Sequence, residues 1–272
     1  MGKKTEIEWC DATFNPWIGC TKVSPGCDNC FAEATATRYG WVKKWGDDYH
    51  RTTPENWKNP LRWAKEAVAA GKIMRLFCLS LGDIFDRKIP NEWRSMLWTL
   101  ILKTSSIGGV EWLLLTKRPE YIEAMVPPIL LCNPPSFLRF GFTAENQEMY
   151  EKRAPIFFSA WHGKNFMSYE PAIGELIMRS YCPGCGKLLN GSLSKTCGTC
   201  HGETKNIDWL VAGSESGARR RLANSQWFRI ARDQCKDAGI PFMLKQANTA
   251  HGALVKRPLL DGRQWLEFPK AG

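Results

Sequence analysis

Seven short apolar runs recur along the chain, and each one stops in a polar or glycine-rich string. The runs lie at 16–19, 75–79, 110–115, 137–142, 165–168, 207–212 and 241–244. Apolar runs bounded by turn residues are typical of strands that are buried on both faces of a sheet. Segments with helical patterning lie between them, at 29–39, 57–70, 91–103, 119–125, 147–158 and 225–238. This alternation predicts an α/β fold with parallel strands and crossover helices.

The strings that follow the runs carry the polar groups expected of a binding site. The first run is followed by a loop that contains cysteines. The other six runs are followed, in order, by Ser80-Leu-Gly-Asp83, Thr116-Lys-Arg118, Thr143-Ala-Glu-Asn146, Ser168-Tyr-Glu-Pro171, Gly213-Ser-Glu-Ser-Gly217 and Lys245-Gln246. In a parallel α/β barrel, the site is built from the loops at the carboxyl ends of the strands. We therefore predict a partial (β/α)6-type TIM-like barrel over residues 1–272, with six or seven parallel strands and a site at that edge.

The composition fits one large domain in a reducing compartment. The chain has 272 residues, of which 44% are apolar, and this is enough for a full core. No stretch approaches the roughly 20 apolar residues of a membrane span. The N-terminus lacks the apolar region of a secretory signal, so we expect a cytoplasmic protein with no membrane partner.

Cys20, Cys27 and Cys30 form the cysteine loop that follows the first run. Three clustered cysteines can bind three irons of a 4Fe–4S cluster, which leaves the fourth iron open for a substrate or cofactor. The alternatives are a zinc site with a distant fourth ligand and ordinary buried thiols. Of these, the cluster is the interpretation that we favour.

A second group of cysteines lies between the fifth and sixth runs. It consists of two pairs, Cys182-Pro-Gly-Cys185 and Cys197-Gly-Thr-Cys200. Each pair can form a turn that directs two thiolates at one ion, which predicts a tetrahedral four-cysteine zinc site in an insert over 175–206. A second iron–sulfur cluster is the lesser alternative. The insert could brace a loop that has little core of its own, or contact nucleic acid or a protein partner.

The charge of the chain favours a polyanionic partner. The formal net charge is +10 and the pI is about 9.1. Several of the 13 tryptophans lie among basic residues, as in Trp41-Val-Lys-Lys-Trp45, Trp57-Lys58, Arg62-Trp63 and Trp227-Phe-Arg229. Cations can follow phosphates while aromatic faces stack on bases. A generally basic surface is the plainer explanation, but we expect a nucleic acid or nucleotide substrate.

The segment from Asn15 to Glu33, Asn-Pro-Trp-Ile-Gly-Cys-Thr-Lys-Val-Ser-Pro-Gly-Cys-Asp-Asn-Cys-Phe-Ala-Glu, resembles the opening of the phage- and prophage-associated three-Cys-motif family. Members of that family look like divergent relatives of radical S-adenosylmethionine (radical SAM) enzymes. The resemblance continues in order through 80–85, 114–119, 141–146, 168–171, 213–217, 242–246 and 261–269. This chain departs from the usual radical SAM motif because six residues, not three, separate its first two cysteines.

The resemblance implies a cofactor set and a role for each string. Cys20, Cys27 and Cys30 would bind a 4Fe–4S cluster, and S-adenosyl-L-methionine would chelate the open iron. Electrons from a flavodoxin or ferredoxin would then drive its cleavage to a 5′-deoxyadenosyl radical. Cofactor contacts are expected from Ser80, Gly82, Asp83, Glu145 and Glu215. Catalytic or substrate contacts are expected from Lys117, Glu170 and Lys245.

Two functions of different classes are consistent with the sequence. The first is a radical SAM enzyme that modifies or repairs a nucleic acid or nucleotide in the cytoplasm of a phage host. The second is a non-catalytic metal-binding module that recognises nucleic acid or a protein partner. We favour the enzyme, because a binding module does not need acidic and basic strings at the end of every strand.

Overall fold

The computed structural model describes residues 5–191 and 193–269, which contain one eight-stranded sheet. Its strands are β1 (Ala12–Phe14), β2 (Met74–Cys78), β3 (Val110–Thr116), β4 (Leu138–Thr143), β5 (Asn165–Tyr169), β6 (Leu210–Gly213), β7 (Phe242–Asn248) and β8 (Leu254–Lys256). The strands lie side by side in chain order. From β1 to β7 all neighbours are parallel, and β8 is antiparallel to β7.

The strand order explains the shape of the sheet. Each connection leads to the next strand in the same direction along the sheet. Since crossovers between parallel strands share one handedness, they all lie on the same face of the sheet. The sheet therefore curls around its other face as in a barrel, and it stays open between β1 and β8. The predicted partial TIM-like α/β barrel is confirmed.

Seven helices accompany the sheet within the described residues. They are α1 (Phe31–Arg38), α2 (Pro54–Ala69), α3 (Asn91–Ile107), α4 (Ile122–Met125), α5 (Pro128–Cys132), α6 (Gln147–Ala160) and α7 (Ser225–Ala238). Side chains of Thr53, Asn146 and Asn224 accept hydrogen bonds from the first turns of α2, α6 and α7, as expected of N-caps. In the described part of the chain, no helix is long and apolar enough to cross a membrane.

Two apolar layers cover the two faces of the sheet. The larger layer packs the helices against the convex face. The smaller layer fills the concave face at mid-height with Trp9, Phe77, Leu113, Phe166, Trp209, Val211 and Met243. Side chains alternate along a strand, so the next concave positions after this layer belong to residues near the strand ends, including Leu115, Lys117, Thr143 and Glu170. The concave face is thus closed below and polar at its mouth.

The first predicted strand is wrong. The run at 16–19 is not part of the sheet; instead Trp17–Ile18 pairs antiparallel with His50–Arg51. The strand of the sheet is β1, which begins four residues before the predicted run and ends just before Asn15-Pro16. Proline has no N–H to donate and biases the preceding residue, so the parallel ladder stops there. Strand β8 and helix α5 were not predicted.

The connection from β5 to β6 differs from the other crossovers, because no helix occurs in its described residues. It contains instead a hairpin of Tyr181–Cys182 and Lys187–Leu188. Tyr181 and Leu188 pack into the convex apolar layer, and the hairpin contacts α6. The hairpin of the predicted insert therefore packs against α6 and the convex apolar layer, in a connection that has no helix of its own in its described residues.

Candidate metal centres and the cavity at the strand ends

A cavity of about 140 Å³ lies where the cysteine loop meets the carboxyl ends of β2, β3 and β4. All three loop cysteines line it, together with Ser80, Gly82, Asp83, Thr116, Lys117, Arg118 and Thr143. Residues of the cysteine loop and of three predicted strings therefore line the same cavity. This is the arrangement that the strand-end argument predicts, and it brings the thiols next to polar side chains.

The cysteine loop is joined to the end of β2 by backbone contacts. The N–H of Gly19 donates to the carbonyl of Leu81 at 3.0 Å, and Gly19 forms a parallel bridge with Gly82. Gly19 has φ +124°, and a Cβ at Gly82 would lie 3.1 Å from the Gly19 carbonyl. Both positions favour glycine, because a side chain would be strained at one and crowded at the other.

Arg118 holds the start of the loop. Its guanidinium is buried and donates to Asp83 at 2.8 Å and to Asp86 at 3.3 Å. On the loop side it donates to the carbonyl of Thr21 at 2.6 Å and to Cys20 Sγ at 3.4 Å. Burial alone would lower the pKa of Arg118, but the two carboxylates raise it above its ordinary value. The cation is therefore permanently charged beside a candidate metal ligand.

Glu145 holds the middle of the loop. Its carboxylate is fully buried and accepts from Arg153 at 2.6 Å and from the N–H of Gly26 at 3.1 Å. A Cβ at Gly26 would lie 2.9 Å from the carboxylate, so the two groups are in direct contact. Burial raises the pKa of Glu145, but the charges of Arg153 and Lys117 outweigh it and hold that pKa below its usual value.

Glu215 holds the end of the loop. It accepts from Arg221 at 2.5 Å and from the side-chain amide of Asn29 at 3.0 Å. Arg221 in turn donates to the carbonyl of Pro25 at 2.8 Å and lies 3.3 Å from Asp28. Burial raises the pKa of Glu215, but hydrogen bonds from Arg221 lower it below its ordinary value.

The cysteine loop is thus fixed by three carboxylate–arginine clamps: Asp83–Arg118, Glu145–Arg153 and Glu215–Arg221. All three carboxylates were predicted to contact a cofactor, and in this structure they support the loop that would hold it. Ser80 has a similar place, since Asn15 donates to its hydroxyl at 3.0 Å. Direct cofactor contact by these residues stays a prediction.

In the cysteine loop, Cys27 is buried, and Cys20 and Cys30 are half-buried. Burial raises the pKa of the Cys20 and Cys30 thiols, while the charges of Arg118 and Lys117 act in the opposite direction. Among the described residues, only the insert cysteines form a group whose ligand atoms all lie within 4.8 Å of one another. One tetrahedral zinc with bonds of about 2.3 Å places its sulfurs about 3.8 Å apart. Cys20, Cys27 and Cys30 do not form such a group, so at least one pair of their sulfurs is more than 4.8 Å apart, which is wider than one zinc ion requires.

The three predicted catalytic residues lie at the polar mouth of the concave face. Lys245 forms an ion pair with Glu170 at 2.5 Å, and a Cβ at Gly213 would lie 3.4 Å from the carboxyl carbon of Glu170. Lys117 lines the cavity, and its ammonium lies 3.5 Å from the hydroxyl of Thr143. The mouth therefore carries the Lys117 cation beside the cysteines and the Glu170–Lys245 ion pair, which joins the end of β5 to β7.

The four insert cysteines form the second candidate metal centre. The sulfurs of Cys182 and Cys200 are 3.4 Å apart, and those of Cys185 and Cys197 are 3.7 Å apart. Backbone N–H groups lower the pKa of the Cys197 thiol, and that of Thr199 donates to its sulfur at 3.4 Å. Four thiols so placed form a metal-binding group with the sulfur spacing of one tetrahedral ion.

Comparison with known proteins assigns the chain to a family. A model described as "Protein of unknown function (DUF5131)" matches residues 4–269. The chain belongs to the DUF5131 family. A solved structure of a mutant spore photoproduct lyase with bound AdoMet and dinucleoside spore photoproduct is similar, with a TM-score of 0.45 and 14% identity. The similarity covers 91% of this chain and 69% of that chain. Among curated proteins, none has a matching sequence.

In this DUF5131 member, sequence reasoning found the carboxylates of the clamps but not the role of their arginines. Arg118 was predicted as part of the strand-end string Thr116-Lys-Arg118 and not as a support of the cysteine loop, and no role was predicted for Arg153 or Arg221. A usable signal was present, because Arg153 and Arg221 each follow their glutamate within eight residues. A buried glutamate needs a cation within reach, and a following helix or turn can supply one.

Proposed function

We propose that this protein is a radical SAM-type enzyme that binds a 4Fe–4S cluster through Cys20, Cys27 and Cys30 and acts on a nucleic acid or nucleotide. One observation carries the proposal: three clamped cysteines share a cavity with the polar strand ends of a curled parallel sheet. Such an edge is where this architecture builds active sites.

The residues of the cavity fit a cluster. Three thiols satisfy three irons and leave one open, and at least one pair of their sulfurs is further apart than one ion requires. An N–H of Arg118 already points at Cys20 Sγ. Two cations, Arg118 and Lys117, lie beside the thiols and would offset the negative charge of bound thiolates. These features support iron–sulfur ligation over a lone zinc ion.

When bound, the cluster and S-adenosyl-L-methionine would supply one-electron chemistry that removes a substrate hydrogen. The protein would contribute binding and positioning. Lys117, at the cavity wall, is suited to a carboxylate or phosphate, and the apolar layer beneath the cavity excludes water. The Glu170–Lys245 pair can orient a polar substrate group or exchange a proton with it. A flavodoxin or ferredoxin would be the electron donor.

The net charge of +10 supports a polyanionic substrate. The strand ends form a concave, polar mouth that suits a nucleotide better than a large apolar ligand. Cytoplasmic location and a phage host context are expected from the sequence and stay predictions.

For the insert we propose a structural zinc ion bound by Cys182, Cys185, Cys197 and Cys200, in a unit over 175–206. The sulfur spacing supports one tetrahedral ion, and four thiols leave no open position for a substrate. Its position over the convex face supports a bracing role, because it covers apolar surface that has no crossover helix.

The deciding experiment is anaerobic iron and sulfide analysis with electron paramagnetic resonance of the reduced protein, with and without S-adenosyl-L-methionine. We expect about four irons per chain and a signal that the cofactor perturbs. The Cys27→Ala variant should lose the iron, and Cys132→Ser, at an exposed cysteine away from both groups, should keep it. Zinc alone after anaerobic reconstitution would leave the non-catalytic metal-binding module as the function to pursue.

A further inference from the structure

We propose that a stripe on and after α1 binds single-stranded nucleic acid and leads it into the cavity. The stripe, called here the α1 stripe, consists of Phe31, Arg38, Tyr39, Trp41 and Lys43. The proposal rests on the nucleic-acid substrate proposed above and assigns it a binding surface and a strand state.

The α1 stripe exposes large aromatic side chains beside the cysteine loop. Phe31 directly follows Cys30 and is 55% exposed, and Tyr39 is 59% exposed. The opposite side of α1 is buried through Ala32 and Ala36. Single exposed aromatics need no explanation, but several along one face next to a candidate active site mark an interaction surface.

The aromatic part of the stripe is already stacked. The rings of Tyr39 and Trp41 are 4.9 Å apart and inclined by only 20°. Trp41 packs underneath against the apolar group around Cys30, Ala32 and Ala36. The pair is therefore anchored on the protein side, while Tyr39 extends into solvent. A fixed aromatic ring of this kind is what single-strand binding proteins offer to a base.

The charged part of the stripe is available for phosphates. The Arg38 guanidinium lies over the Tyr39 ring, 5.7 Å from its centroid, where it can add a cation–π contact, and Lys43 is exposed. Nearby Lys44 and Lys88 are engaged by Asp47, at 2.6 Å and 3.0 Å. Within the described residues, Arg38 and Lys43 have no carboxylate at ion-pair distance. They can therefore contact phosphates beside the stacked base.

The shape of the site favours a single strand over a duplex. The cavity is about 140 Å³ and is closed below by aromatic and aliphatic side chains, so it has no room for a base pair in a stack. A base that is to react there must leave its helix or come from a single strand. Trp45 lies on the same segment as the stripe and lines the cavity. From Phe31 to Arg38 the helix rises about 10 Å, which is enough to hold the neighbours of an entering nucleotide.

The test is fluorescence anisotropy with labelled single-stranded and duplex oligonucleotides, using the full chain as purified and without S-adenosyl-L-methionine. We expect the single strand to bind more tightly. Tyr39→Leu should weaken that binding about tenfold, which corresponds to about 1.4 kcal/mol, whereas Tyr39→Phe, which keeps the ring, should stay within about twofold. Lys43→Gln should reduce the salt dependence by about 0.7 of a log unit per log unit of salt. Lys103→Gln, at an exposed site near the end of α3, should not.

Tighter binding of the duplex, or equal binding by wild type and Tyr39→Leu, would overturn the proposal. So would a stripe variant that loses binding of an acidic electron-transfer protein but keeps binding of the oligonucleotide. The outcome is independent of the iron analysis. A chain that binds four irons but no oligonucleotide retains the radical chemistry and loses the stripe. A chain that binds a single strand through Tyr39 without iron retains the stripe and loses the radical enzyme.

Discussion

The two cysteine groups of this protein are built in opposite ways. In the insert, four sulfurs lie within 4.8 Å of one another, and the backbone of the same short segment supports them. In the cysteine loop, at least one pair of sulfurs lies further apart than this, and residues distant in the chain hold the loop in place. Arg118 reaches Cys20 across 98 positions, Glu145 reaches Gly26 across 119, and Glu215 reaches Asn29 across 186.

The metal proposed for the insert would stabilise the fold of that segment. In the cysteine loop the reverse holds, because the surrounding fold positions the residues that would bind the metal. The insert has little hydrophobic core of its own, so its fold would depend on the proposed ion. The loop is held by hydrogen bonds and ion pairs between protein groups. We therefore expect the two sites to respond differently when metal is removed.

The largest effect is expected from breaking the insert. Cys182→Ser should release its metal and unfold the hairpin, because structural zinc sites of this type contribute on the order of 10 kcal/mol of binding free energy to folding. Unfolding would expose the convex surface that Tyr181 and Leu188 cover. Hydrogen exchange of residues 181–205 and the melting temperature would report this loss.

The matched comparison is Cys27→Ser in the loop. It should abolish iron binding while hydrogen exchange in the clamps and the melting temperature of the iron-free protein change little. Equal loss of stability in both variants, each measured without iron, would contradict the division between the two sites.

A smaller loss is expected from removing the central cation of the first clamp. Arg118→Met would leave Asp83 and Asp86 buried without their partner, which typically costs about 3–5 kcal/mol. The double variant Arg118→Met with Asp83→Asn should lose less than the sum of the two single variants, since one stranded charge is removed. Chemical denaturation of the four metal-free proteins measures this coupling, and strict additivity would argue against the clamp.

The contrast also explains what could be predicted from the sequence. The insert was found because a CxxC pair is a local pattern whose geometry follows from its spacing. Six of the parallel strands were found because buried strands are continuous apolar runs. Strand β1 was missed because Ala-Thr-Phe is too short and mixed to stand out beside Trp17–Ile18.

The clamps could not be predicted because they depend on the fold. Glu145 and Glu215 were recognised as strand-end carboxylates, which follows from a local pattern. Whether such a carboxylate faces a ligand or an arginine depends on how distant segments meet at the mouth of the sheet. The same limitation applies to Phe31, because its position directly after Cys30 does not reveal that its side chain is 55% exposed.

The smallest effect is expected at the third clamp, which lies at the surface. The Arg221 side chain is 34% exposed, and Glu215 keeps its bonds to Asn29 and to the backbone N–H of residue 221 when the guanidinium is removed. Arg221→Met should therefore cost only about 1 kcal/mol. The change should concentrate in the loop, because Arg221 also holds the Pro25 carbonyl. Faster hydrogen exchange at residues 26–30, with a nearly unchanged melting temperature, is the expected result. A loss as large as that of Arg118→Met would mean that the buried and exposed clamps stabilise the loop equally, against the view that burial determines their strength.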